Sequence, residues 1–162
     1  MKQTNIQLSE KKLIGITIIT SNSLEANSET ANIGKTIANY FENNLSKKIE
    51  NKIKPGTTYC AYTKYESDEN GSYTYFIGEE VNSLKEIPSG FEGLIIPKSN
   101  YAKFECGPGK MPKICIDAWK EIWQMKDNDL KGKRTYLTDF EIYDERAQDY
   151  NNAILDIYIG IK

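Results

Sequence analysis

The arrangement in this sequence with the most chemical potential is one carboxylate set among aromatic side chains. It lies in Phe140-Glu141-Ile142-Tyr143-Asp144, followed by Asp156-Ile157-Tyr158-Ile159-Gly160. Alternation along a strand places Glu141 and Tyr143 on one face and Phe140 and Ile142 on the other. A carboxylate beside a phenol can serve general acid–base chemistry if desolvation brings its pKa near the working pH. On residue type alone, a strand glutamate reads instead as a solvated member of the polar face, because Glu is rarely buried without a partner. The chain contains no histidine, and its three cysteines, Cys60, Cys106 and Cys115, form no CxxC pair. Ser-His-Asp and thiol–imidazole catalysis are thereby excluded, and a zinc site is unsupported. Neither a metal nor another cofactor is expected. Gly107-Pro108-Gly109-Lys110 lacks the spacing of a phosphate loop and reads as a turn, and Asp144-Glu145-Arg146 reads as a solvated loop end.

The elements that must position Glu141 follow from periodicity. Lys12 to Thr20 is a β-branched run and predicts the first strand. Asn27-Ser28-Glu29 offers capping residues ahead of a helix whose apolar stripe is Ile33, Ile37, Phe41 and Leu45. Thr57 to about Tyr65 predicts a second strand, Asn70-Gly71 a turn, and Tyr73 to Val81 a third strand. Asn82 to Gly93 connects the halves. Leu94 to Cys106 predicts a further strand, interrupted near Pro97, which cannot donate to a ladder. Pro112 suits the start of a helix in which Ile114, Ala118, Ile122 and Met125 repeat, with Cys115, Trp119 and Trp123 on the adjacent stripe. The Glu141 strand and a last strand over Ala153 to Ile161 complete the order.

Each half therefore reads β-α-β-β. Aligning Tyr59-Cys60-Ala61-Tyr62 with Phe140-Glu141-Ile142-Tyr143 also brings Tyr75-Phe76-Ile77-Gly78 opposite Ile157-Tyr158-Ile159-Gly160, with one extra residue in the second hairpin. An internal duplication is expected, with halves at about 1–82 and 91–162 of a single domain spanning 1–162. In that alignment Cys60 takes the place of Glu141, so the charge is not duplicated. Tyr62 and Phe76 become the counterparts of Tyr143 and Tyr158.

The segments Tyr101-Ala102-Lys103-Phe104-Glu105, Asp117-Ala118-Trp119-Lys120-Glu121-Ile122-Trp123, Asp139 to Arg146 and Asp156-Ile157-Tyr158-Ile159 resemble the GyrI-like superfamily. Its members are effector-binding domains of AraC- and MerR-type multidrug-responsive bacterial regulators, and also free-standing proteins. The resemblance implies an α+β fold in which two pseudo-twofold-related β-α-β-β units form a curved antiparallel sheet with two helices and a ligand groove at their junction. It further implies that Glu141 sits at the base of an aromatic pocket and meets the charge of a lipophilic cation. Tyr143, Tyr158, Tyr62, Phe76, Trp119 and Trp123 are the expected surround. Gly160 departs from the proline common at that place in the family and leaves the register of the last strand open.

The function expected from this resemblance is binding of a small molecule, a cationic drug-like compound, for sensing or sequestration linked to transcriptional regulation. One alternative is a hydrolase on the same scaffold, using Glu141 with Tyr143 or Tyr158. Another is a protein-binding module like the gyrase inhibitor of the superfamily. The formal net charge is −2, which offers no electrostatic footprint for nucleic acid. No apolar run approaches the ~20 residues that cross a bilayer, and no secretory leader is evident. Expected partners are thus a small-molecule ligand and, on the last alternative, a protein, in the cytoplasm.

Overall fold

The computed structural model describes residues 1–162. Its elements run β1 (Lys2–Leu8), β2 (Lys11–Ser21), α1 (Asn22–Glu25), α2 (Ile33–Glu42), β3 (Thr58–Thr63), β4 (Ser72–Val81), β5 (Glu92–Ile96), β6 (Ser99–Gly109), α3 (Lys113–Gln124), α4 (Asp127–Leu130), β7 (Thr138–Tyr143) and β8 (Ala153–Ile161). The strands form one antiparallel sheet in the order β1-β6-β8-β7-β3-β4-β2-β5. No helix is long and apolar enough to cross a membrane.

The duplication is visible in the pairing. At the sheet centre β3 and β7 run antiparallel with Cys60 opposite Glu141, Tyr59 opposite Ile142 and Ala61 opposite Phe140. A twofold axis between Cys60 and Glu141 therefore exchanges the two aligned tetrapeptides. From that axis outward, β4, β2 and β5 on one side match β8, β6 and β1 on the other. Each repeat thus has a further leading strand, and it pairs with the edge of the opposite repeat. The sequence pattern concealed β1 because Lys2–Leu8 is almost wholly exposed and carries no apolar alternation. The interruption expected near Pro97 is present, with Pro97 and Lys98 separating β5 from β6, and the two parts lie toward opposite ends of the sheet order.

This exchange forces the sheet to curl. Strands β1 and β2 stand first and seventh in the order, yet only Ser9 and Glu10 join them. Three Cα steps span at most about 11 Å, so the two ends of the sheet must approach each other. The same holds for β5 and β6. Side chains inside the curl come from strands alone, among them Leu13, Tyr59, Phe76, Ile96, Tyr101, Phe140 and Tyr158. The helices cover the outer face. There Tyr40 of α2 packs with Ile14, Cys60, Tyr75 and Ile77, while Ala118, Trp119 and Ile122 of α3 pack with Phe104, Leu155 and Ile157.

The start of α2 is set by a residue outside the expected capping segment. Glu25 accepts the backbone N–H of Asn32 at 3.0 Å and of Ile33 at 3.0 Å, placing a carboxylate on the helix N-terminus. Helix α2 ends at Glu42, and Leu45 lies in a separate 3-10 turn, Leu45–Lys48. Gly160 also finds its explanation. It pairs with Tyr101, and its N–H donates to buried Asp139 Oδ1 at 2.9 Å, a bond that proline cannot make.

Candidate functional site

Between α2 and α3, above the β3/β7 pair, lies a cavity of about 310 Å³. Spacing explains its lining. Residues two apart on a strand share a face, which brings Glu141 with Tyr143, and Tyr73 with Tyr75, to the outer side. Residues four apart share a helix stripe, which aims Ile33 and Ile37 of α2, and Cys115, Trp119 and Trp123 of α3, into the same space.

Glu141 forms the floor and is 2% exposed. No basic side chain pairs with it. Its Oε2 accepts from Trp119 Nε1 at 2.6 Å, Tyr62 Oη at 2.8 Å and Cys115 Sγ at 3.6 Å, whereas Oε1 accepts from Tyr143 Oη alone, at 2.7 Å. A carboxylate offers about four lone-pair sites, two on each oxygen, so the remaining acceptor capacity is on Oε1. Burial pushes the Glu141 pKa above the ordinary carboxylate value, and the bonds from Tyr143, Trp119, Tyr62 and Cys115 pull against that rise. Burial likewise raises Tyr62, Tyr143 and Cys115, and the nearby Glu141 charge adds to each. These groups therefore remain protonated donors around one acceptor.

Aromatic faces complete the walls. Tyr62 meets Trp119 edge-on with ring centroids 5.0 Å apart and Tyr75 at 5.4 Å, and Trp123 lies 6.4 Å from Trp119 and is 46% exposed. Of the other charged residues lining the cavity, Lys120 of α3 is exposed and makes no ion pair, and three have partners of their own. Glu25 caps α2, Glu69 accepts from Tyr136 Oη, and Arg134 pairs with buried Asp139 at 2.7 Å.

Of the residues expected around Glu141, Tyr143, Tyr62, Trp119 and Trp123 line this cavity. Tyr158 and Phe76 do not. Tyr158 pairs with Phe140 and Phe76 pairs with Ala61, so both project into the curl on the opposite side of the sheet. There Tyr158 stacks on Phe140 at 4.7 Å, and it cannot partner Glu141 in the proposed hydrolysis. Tyr75, the cross-strand partner of Tyr62, stands where Phe76 was expected. Cys115 was not singled out, although its four-residue spacing to Trp119 was the signal that could have found it.

Residues 6–161 match the model of the integron-associated effector binding protein family. The chain belongs to that family. It is 31% identical over 152 residues to the putative transcriptional regulator protein YobU of Bacillus subtilis (strain 168), covering 94% of this chain and 92% of YobU. Among solved structures, the integron cassette protein VCH_CASS2 from the mobile metagenome of Vibrio cholerae superposes with a TM-score of 0.77 at 24% identity, covering 99% of this chain and 95% of that one. SAV2435, solved bound to tetraphenylphosphonium, superposes with a TM-score of 0.76 at 18% identity over 100% of this chain and 94% of that one. The likeness to these two structures is one of fold. It agrees with the GyrI-like architecture expected from the sequence.

Proposed function

We propose that this protein binds lipophilic organic cations in the cavity between α2 and α3, with Glu141 as the counter-charge, and that binding serves sensing or sequestration linked to transcriptional regulation. One observation carries the reading: a buried carboxylate without a basic partner, held by neutral donors at the base of an aromatic cavity. Burying such a group is costly, and a cation that enters beside it offsets the cost. The open capacity of Oε1 gives that cation a contact, and the faces of Tyr62, Tyr143, Trp119 and Trp123 are suited to its delocalised charge, at about 0.5–2 kcal/mol per favourable ring. Membership of an effector-binding family supports the reading, as does a neighbour of the same fold solved with a lipophilic cation.

The test compares tetraphenylphosphonium with tetraphenylborate, which has nearly the same shape and the opposite charge, on the wild type and Glu141→Gln. The cation should raise the melting temperature of the wild type by mass action, and Glu141→Gln should weaken its binding at least tenfold. The anion should not bind either protein. Equal cation affinity in the two proteins would remove Glu141 from the site. Recovery of the unchanged cation after prolonged incubation is expected of a binder, and its consumption would point to turnover.

A further inference from the structure

A second cavity, of about 470 Å³, abuts the first along the same outer face of the sheet. Four residues line both: Ile37 of α2, Met111 and Pro112 before α3, and Tyr143 of β7. They form a waist that reaches from one helix to the start of the other, with Tyr143 held by its bond to Glu141. Beyond the waist the lining changes character. Phe41, Ile77, Ala147 and Tyr150 are apolar or aromatic, and Cys60 stands where the first chamber has its glutamate. Cys60 is both the cross-strand partner and the repeat counterpart of Glu141. The single charged residue in the second chamber, Asp144, accepts from Arg146 Nε and the Arg146 backbone N–H on Oδ1 and from Nη2 on Oδ2, at 2.9 to 3.0 Å. No free charge remains there.

The twofold repeat thus supplies two neighbouring chambers, and only one of them holds an unpaired charge. Resting on the cation reading above, we infer that the ligand class is the elongated amphiphilic monocation, with its charged head at Glu141 and its hydrocarbon or aromatic tail passing the Tyr143 waist into the Cys60 chamber. A compact cation fills the first chamber alone. A dication gains little from its second charge, since the one carboxylate of the second chamber, Asp144, is already neutralised by Arg146.

The probe is a series of n-alkyltrimethylammonium ions from tetramethyl to dodecyl, kept below their micelle concentrations and titrated into the full chain by calorimetry. Affinity should be set by the head for the shortest members, then rise about fourfold for each methylene that enters the second chamber, and level off when that chamber is full. Two variants act on the second chamber only. Phe41, 51% exposed on α2, can become Gln without disturbing the core, and Ala147→Leu fills space beside the 3-10 turn Glu145–Ala147. Both should leave short cations unchanged and weaken the long ones at least fivefold. Short cations that bind through Glu141 with a flat series, or a series identical in wild type and both variants, would overturn the two-chamber inference and leave the cation reading standing. Failure of every cation to bind would overturn both.

Discussion

At the scale of single residues, Glu141 is held between burial, which favours its protonated form, and four donors, which favour its charge. Among those donors Tyr143 pulls hardest against the rise, followed by Trp119. Trp119 Nε1 reaches Oε2 at 2.6 Å from a buried indole, so Trp119→Phe keeps most of the ring and removes one charge-assisted bond. Unfolding by urea at neutral pH should show a loss of about 1.5–3 kcal/mol, and titration should show the Glu141 pKa rising further. Unchanged stability and titration would mean that the indole only packs. Five positions, Glu141, Tyr143, Tyr62, Trp119 and Trp123, were expected from the family resemblance and the internal duplication, whereas residue type alone read Glu141 as a solvated strand residue. Periodicity contributed only which neighbours share a face. Tyr158 and Phe76 were expected on the same grounds and lie elsewhere, since a cross-strand partner depends on hairpin register. A slip of one residue turns every side chain to the other face.

At the scale of elements, the site depends on how β7 and β8 are locked together behind it. Asp139 of β7 is fully buried and binds Arg134, Tyr65 Oη and the Gly160 N–H of β8. Removing one member of a buried ion pair leaves the other uncompensated, so Arg134→Ala should cost about 3–5 kcal/mol in chemical denaturation. A cost below about 1 kcal/mol would show that water replaces the guanidinium freely. The sequence disclosed both hairpins through apolar spacing and the Asn70-Gly71 turn, and the helix stripes only in part, since Phe41 is exposed and Leu45 and Met125 lie beyond the helix ends. It did not disclose the Glu25 cap on α2, a contact between residues seven and eight apart through an intervening loop. Nor did it disclose β1, whose pairing with β6 is a backbone matter that its polar side chains do not advertise.

At the scale of the whole molecule, the two repeats are joined at the Cys60–Glu141 pair and again at the sheet edges, where each lends its first strand to the other. The duplication was readable because the aligned aromatic motifs sit on the central strands. The exchange of β1 and β5 was not, because it is settled by long-range pairing rather than local pattern. Symmetry of the backbone, broken by thiol against carboxylate on the axis, gives the groove one charged end. The central claim is that the ionised form of Glu141 is what a cation meets, and pH tests it most directly. Because burial raises the Glu141 pKa, protonation sets in above the ordinary carboxylate range as pH falls, and cation binding must release that proton. Tetraphenylphosphonium affinity should therefore weaken about tenfold per pH unit below the Glu141 pKa in the wild type and stay level in Glu141→Gln across the range where that variant remains folded. The same pH profile in both proteins would contradict the account.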